Sequence, residues 1–137
     1  MAKNKAATEC KRLPVPVKSW GIDHWSTFAY LETLCVDYDG RIDRCRMRCS
    51  SKRHPGYVHM ASSTQYPTRL KSGFELYDHD DYDCITDMVR FGLVTWTYTG
   101  INPGVVALTD KGMQLAARLR SHKMNGGQFA DFDPGSI

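Results

Sequence analysis

The feature that most constrains this chain is a run of helix and strand signals between residues 78 and 123. Asp78 or Asp80 is a good N-cap for a helix that continues to about Phe91. Gly92 suits the left-handed position after a helix end, and Leu93 can then pack back onto the helix in a Schellman motif. The spacing of the apolar residues predicts a buried helix face made of Tyr82, Ile85, Met88 and Val89.

A β-hairpin and another helix are predicted directly after it. Residues 94–99, VTWTYT, alternate and are β-branched or aromatic, which is typical of a strand. Asn102-Pro103-Gly104 predicts a turn, and residues 105–108 predict the partner strand. Thr109 is an N-cap for a helix over about 110–123. The buried face of that helix is predicted to contain Gly112, Leu115, Ala116 and Leu119, which recur at helical spacing.

The first half of the chain carries weaker signals. Asp23 is a candidate N-cap for a helix over about 24–36. One apolar stripe of this helix is predicted to contain Phe28, Leu31 and Cys35, with Trp25 and Leu34 beside it. Residues 41–49 alternate weakly and fit a strand or a short helix equally well. Residues 50–73, rich in Ser, Thr, Pro, Gly and His, predict a long loop that is either functional or locally disordered.

These signals predict one α+β domain over residues 19–124. Residues 1–18 are expected to form a flexible basic arm, and residues 125–137 a loosely docked C-terminal tail. A chain of 137 residues can bury roughly two thirds of its unfolded surface, so it needs no disulfide or metal to fold.

Composition indicates an intracellular location. The N-terminus is polar and basic, without the apolar stretch of a signal peptide, and no apolar run approaches the ~20 residues of a membrane span. The five cysteines are an odd number, which favours reduced thiols. We therefore expect a cytoplasmic protein without a membrane partner. The formal net charge of +3 is a weak signal for nucleic-acid binding.

The stretch DDYDCITDMVRFGLVTWTYTGINPGVVALTDKGMQLAARLR, about a third of the chain, resembles the latter half of winged-helix domains of the MarR and PadR families. The motifs that carry this resemblance are Gly92-Leu93-Val94 and Leu108-Thr109-Asp110-Lys111-Gly112. It implies a winged-helix-like fold in which the hairpin is the wing and residues 50–76 are an insertion.

The whole chain also resembles small proteins encoded by tailed bacteriophages and prophages. The segments that carry this second resemblance are Asp23-His-Trp-Ser-Thr-Phe-Ala-Tyr, Met47-Arg-Cys, Arg53-His-Pro-Gly, Tyr66-Pro-Thr-Arg-Leu and His79-Asp-Asp-Tyr-Asp-Cys. It implies a phage origin, and hence a place in the cytoplasm of a host bacterium, but no particular activity.

The helix before the wing is the element that reads DNA in winged-helix regulators. Here it carries Asp80, Asp83 and Asp87, with Arg90 as its one cation, and carboxylates repel phosphates. We therefore predict that these four residues bind a protein partner. The alternative is an acidic helix face that only meets solvent.

A basic segment is the candidate for nucleic-acid binding. Its cations are Arg41, Arg44, Arg46, Arg48, Lys52 and Arg53. Such residues contact phosphates, and nearby tyrosines can stack on bases. This segment supports the alternative function, a winged-helix DNA-binding transcriptional regulator.

Cys45, Cys49, His54 and His59 offer the ligand types of a zinc site, with Cys35 upstream. Their spacing is not that of the common zinc motifs, so the alternative is small buried cysteines and surface histidines. No P-loop, G-x-G-x-x-G or G-x-S-x-G motif is present, and we expect neither an enzyme nor a cofactor other than this zinc.

The leading functional expectation is a small non-enzymatic phage-type accessory protein that binds a host protein, as a host-takeover or anti-defence inhibitor. Nucleic acid is the alternative partner, and the sequence is also compatible with a homodimer.

Overall fold

The computed structural model describes residues 13–43, 46–48, 67–77, 79–99 and 102–135, and of residues 98, 99, 102 and 103 only the backbone. Within these ranges the fold is α+β, as predicted. The helices are α1 (Ile22–Asp37), α2 (Asp81–Arg90) and α3 (Asp110–Met124). The strands form two antiparallel hairpins, β1 (Thr68–Arg69) with β2 (Glu75–Leu76) and β3 (Val94–Thr99) with β4 (Asn102–Leu108).

Helix α2 begins and ends on the residues that the sequence indicates. The Asp80 carboxylate accepts hydrogen bonds from the backbone N–H groups of Tyr82 and Asp83, and the Asp83 carboxylate accepts one from the Asp80 N–H. This is a capping box. At the other end Gly92 has φ 76° and the Leu93 N–H donates to the Met88 carbonyl at 2.9 Å, which confirms the Schellman motif.

The predicted buried face of α2 is confirmed except at one position. Tyr82, Ile85 and Met88 are buried, but Val89 is 39% exposed. The helix is enclosed on most sides, because α1 packs on one flank and the segment before α2 on another. Only Thr86, Val89 and Arg90, one helical turn apart, face outward.

The strands of the second hairpin and α3 lie where the sequence predicts them, but the predicted turn was wrong, because Asn102, Pro103 and Gly104 belong to β4 and Asn102 pairs with Thr99. Val94 pairs with Leu108 and Trp96 with Val106, and the register shifts between Thr97 and Thr99. The Thr109 hydroxyl accepts a hydrogen bond from the Gly112 N–H at 3.0 Å, which confirms the cap. The predicted buried positions of α3, residues 112, 115, 116 and 119, are all buried.

Helix α1 is the centre of the core. It contacts α2, α3, β1, β4 and a C-terminal 3-10 turn at Phe129–Asp131. The predicted stripe and the residues beside it are confirmed at Trp25, Phe28, Leu31 and Leu34, which are at most 3% exposed, whereas Cys35 is half-buried.

The predicted start of α1 was wrong. The helix begins at Ile22, and its N-cap is Gly21. A Cβ at Gly21 would lie 2.5 Å from the Leu70 backbone, so the first hairpin approaches here more closely than a side chain allows. Asp23 lies inside the first turn and bonds to side chains elsewhere in the chain.

Two segments predicted to be loose are part of the fold. Val15 and Val17, assigned to the flexible arm, are buried, and the Val15 carbonyl accepts a hydrogen bond from the Trp20 indole at 2.8 Å. In the C-terminal tail Phe132 is buried against Trp25, with ring centroids 4.7 Å apart. Residues 1–12 lie outside the described residues.

The predicted loop insertion is only partly described. Its end, residues 67–76, contributes the β1–β2 hairpin, and Leu70 forms a bridge with Trp20. Earlier in the chain, residues 40–42 run along β4, with Arg41 bridged to Val105 and the Val106 N–H bonded to the Gly40 carbonyl. The stretch 49–66 lies outside the described residues.

Candidate functional site

The acidic face that we predicted on α2 is not a surface. Asp80, Asp83 and Asp87 are 3%, 6% and 5% exposed. Asp80 and Asp83 are used by the capping box, and Asp87 is held by two histidines. The prediction that these aspartates meet a protein partner was therefore wrong, because their partners lie inside the chain. Of the four predicted residues only Arg90 is exposed.

Asp87 is the centre of a buried polar cluster. Its Oδ2 atom lies 2.8 Å from Nε2 of His24 and 3.0 Å from Nε2 of His79, and its Oδ1 atom accepts from the Val15 N–H at 3.3 Å. Burial alone would raise the pKa of the Asp87 carboxyl, but the hydrogen bonds from the two histidines hold it below its usual value. Burial lowers the pKa of His24, against the opposing effect of Asp87.

Cys84 lies one helical turn before Asp87 and is fully buried. Its sulfur, a nitrogen of His24 and a nitrogen of His79 lie within 4.8 Å of one another. Among the described residues, these three side chains form the group that could hold a metal ion. Burial raises the pKa of the Cys84 thiol well above its usual value. Sequence reasoning missed this cluster. His24 lies in α1, Cys84 in α2, and His79 in the short segment between β2 and α2.

Arg48, predicted to contact nucleic acid, is used inside the fold. Its guanidinium donates to Asp23 at 3.0 Å and to Asp81 at 3.0 Å, and Arg69 donates to Asp23 at 2.9 Å. Burial would raise the pKa of Asp23, but bonds from Arg69 and the charge of Arg48 lower it. Burial raises the pKa of Asp81 despite Arg48. Two cations and two carboxylates thus compensate each other.

The other predicted nucleic-acid contacts divide into two groups. Arg41 and Arg46 are both exposed. Arg41 lies beside β4, and Arg46 lies in a turn a few residues later in the chain. The remaining three, Arg44, Lys52 and Arg53, lie outside the described residues, as do all four predicted zinc ligands, Cys45, Cys49, His54 and His59.

An open groove of about 610 Å³ lies between the C-terminal half of α1, β4 and the first turns of α3. Its walls are mainly apolar and are formed by Cys35, Val36, Val105, Ala107, Leu108 and Met113. Two of these side chains protrude into solvent, since Val36 is 75% and Met113 51% exposed. At the rim, Arg120 donates to Glu32 at 2.9 Å.

The half-buried Cys35 thiol belongs to this groove. Its sulfur donates to the Val106 carbonyl at 3.5 Å, and burial raises the pKa of the thiol. A thiol with a raised pKa is a poor nucleophile at neutral pH.

Comparison with known proteins adds no relative: no protein-family model, curated protein or solved structure matches the chain. Among the helices that the structure describes, none has the length and apolarity required to cross a membrane.

Proposed function

We propose that this chain is a small non-enzymatic binding protein whose groove between α1, β4 and α3 takes an apolar segment of a partner protein. The observation that supports this most is the exposure of Val36 and Met113 at a concave, mainly apolar surface. Concave apolar pockets are where the anchor residues of protein interfaces insert and where most of the binding energy arises.

The charges around the groove indicate which residues lie beside the apolar residues of the partner segment. Asp39 lies at the rim, Asp37 is exposed at the end of α1, and Glu32 is already paired with Arg120. The C-terminal end of a helix carries a partial negative charge, which adds to these carboxylates. The partner segment is therefore apolar with Lys or Arg beside it, so that opposite charges meet at the rim.

The resemblance to proteins of tailed phages supports a bacterial protein of the host as the source of that segment. A small chain that covers a functional surface of a host protein can act as a host-takeover or anti-defence inhibitor without any catalytic step. The groove itself supports this type of action, because its walls are mainly apolar and are suited to contact with another protein.

Site-specific photo-crosslinking in bacterial lysate tests the proposal. A photoreactive amino acid replaces Met113 inside the groove or, as the matched control, Met124, which is 84% exposed at the end of α3. We expect a discrete crosslink to a bacterial protein from position 113 and none from position 124. Equal labelling from both positions, or a product made only of two copies of this chain, would overturn the proposal of a host partner.

A winged-helix DNA-binding regulator is the second candidate, and two observations favour it. Helix α2, the β3–β4 hairpin and α3 follow one another in the order that the resemblance implies. In addition, burial of the three aspartates removes the negative face that would repel phosphates, which leaves Thr86, Val89 and Arg90 outside.

Fluorescence anisotropy with duplex DNA between about 50 and 200 mM salt tests this second candidate. A DNA-binding protein would show affinity that falls steeply with salt. Arg41→Ala and Arg46→Ala would then weaken binding, whereas Met113→Glu would not change it. Absence of binding at the lowest salt rejects the regulator.

A further inference from the structure

The buried cluster around Asp87 contains a nitrogen whose hydrogen-bonding capacity is unused. His24 is fully buried, and among the residues that the structure describes its Nδ1 atom has no hydrogen-bond partner. Its Nε2 atom lies 2.8 Å from Asp87 Oδ2, so Nε2 carries the proton that this bond needs. Nδ1 then holds a free lone pair in the interior, which costs free energy unless something fills it.

The same geometry is typical of a histidine that binds a metal. Such a histidine donates its second ring N–H to a carboxylate, which fixes the tautomer and the ring orientation. Asp87 is that carboxylate for His24, and the Trp20 ring stacks on the imidazole with centroids 4.8 Å apart, which further fixes its position.

Two more residues with metal-ligand side chains lie close to His24. Nitrogens of His24 and His79 and the sulfur of Cys84 lie within 4.8 Å of one another, and all three residues are at most 3% exposed. Two imidazoles and one thiolate are the ligand types that zinc prefers in proteins. We propose that His24, His79 and Cys84 bind a zinc-type divalent cation, with Asp87 as the carboxylate that orients His24.

The charges balance when the cation is present. Cys84 releases its thiol proton to solvent as the sulfur binds the metal. Both ring nitrogens of His79 are in hydrogen bonds, Nδ1 with the Thr68 hydroxyl at 2.9 Å and Nε2 with Asp87 at 3.0 Å, so one of these bonds is exchanged for the bond to the cation. The thiolate and the Asp87 carboxylate together then neutralise the two positive charges, as a dry interior requires. Because the ligands are buried, the site is structural and links α1 to α2.

The test uses a chain in which Cys84 is the remaining thiol, made by replacing Cys10, Cys35, Cys45 and Cys49 with alanine. This removes the cysteines of the candidate cluster at residues 45–59 and keeps the site proposed here. Zinc is measured by mass spectrometry on untagged protein, and Co²⁺ is then exchanged in as a spectroscopic probe of thiolate ligation.

We expect about one equivalent of zinc per folded chain and a sulfur-to-cobalt charge-transfer band. Adding Cys84→Ala should abolish the band and the bound metal. Less than about 0.2 equivalents of zinc in a chain with a native circular dichroism spectrum would overturn the proposal. Should the four-fold variant not fold, Cys84→Ala in the natural chain decides, since a zinc content equal to that of the natural chain would also overturn the proposal.

Discussion

Asp87 shows what single residues contribute to this molecule, because its carboxylate is buried and stays charged. Two imidazole nitrogens within 3.0 Å and a backbone N–H stabilise that charge. Asp23 and Asp81 are buried in the same way beside Arg48. A buried carboxylate that lost its partners would strongly destabilise the fold. These hydrogen bonds are therefore needed for the stability of the folded protein.

Asp87→Asn should therefore lower the free energy of unfolding by about 3 kcal/mol. The asparagine amide would face one imidazole N–H with another donor, and the ionic component of both bonds would be lost. Urea denaturation measures the change, with the exposed Asp133→Asn as the matched control. Equal stability of the two variants would contradict the role given to Asp87.

The burial of these aspartates could not be predicted from the local sequence. Charged residues are almost never fully buried unless they are paired, and the partners of Asp87 and Asp81 include His24 and Arg48, far away along the chain. The one local hint is the spacing of Cys84 and Asp87, which puts both on the same side of α2 as its apolar residues.

At the scale of the elements, short-range signals dominate the C-terminal half. The Asp80 capping box, the Gly92 turn, the alternating strand and the Thr109 cap each act within a few residues, so the sequence predicts α2, the β3–β4 hairpin and α3. How these elements touch depends on close backbone approach. A Cβ at Gly112 would lie 2.0 Å from the Leu93 carbonyl oxygen, so α3 starts directly against the end of α2.

Gly112→Ala should destabilise the fold by about 2 kcal/mol, even though alanine favours helices, because the added methyl must push α3 away from Leu93. The control is Gln114→Ala at an exposed position of the same helix. Thermal denaturation compares the two variants. A Gly112→Ala protein as stable as the control would show that the junction between α2 and α3 is loose.

The C-terminal tail behaves as an element of the core, although its sequence predicts a loose end. Phe132→Ala should cost about 3 kcal/mol, since the ring is 3% exposed and contacts Trp25 and His122. Phe74→Ala is the matched control, because that ring is 60% exposed in the first hairpin. Similar unfolding midpoints in urea would mean that the tail is not docked.

For the whole molecule, the sequence predicts the fold class and the position of α1 but not which surface is free. The expected binding face on α2 is internal, and the groove is assembled from residues near 36, 105 and 113, whose proximity depends on how α1, β4 and α3 pack. Apolar side chains at positions 36 and 113 have no unusual local pattern, so only the tertiary structure reveals that they share one concavity.

Quantitative capture from nuclease-treated bacterial lysate tests the central proposal most directly. The immobilised natural chain is compared with Met113→Glu, which puts a charge into the groove, and with Met124→Glu, which puts it outside. We predict at least one bacterial protein whose recovery falls by roughly tenfold with Met113→Glu and is unchanged with Met124→Glu, the loss expected from an anchor residue. Equal recovery of every captured protein by the three chains would contradict the groove as the binding surface.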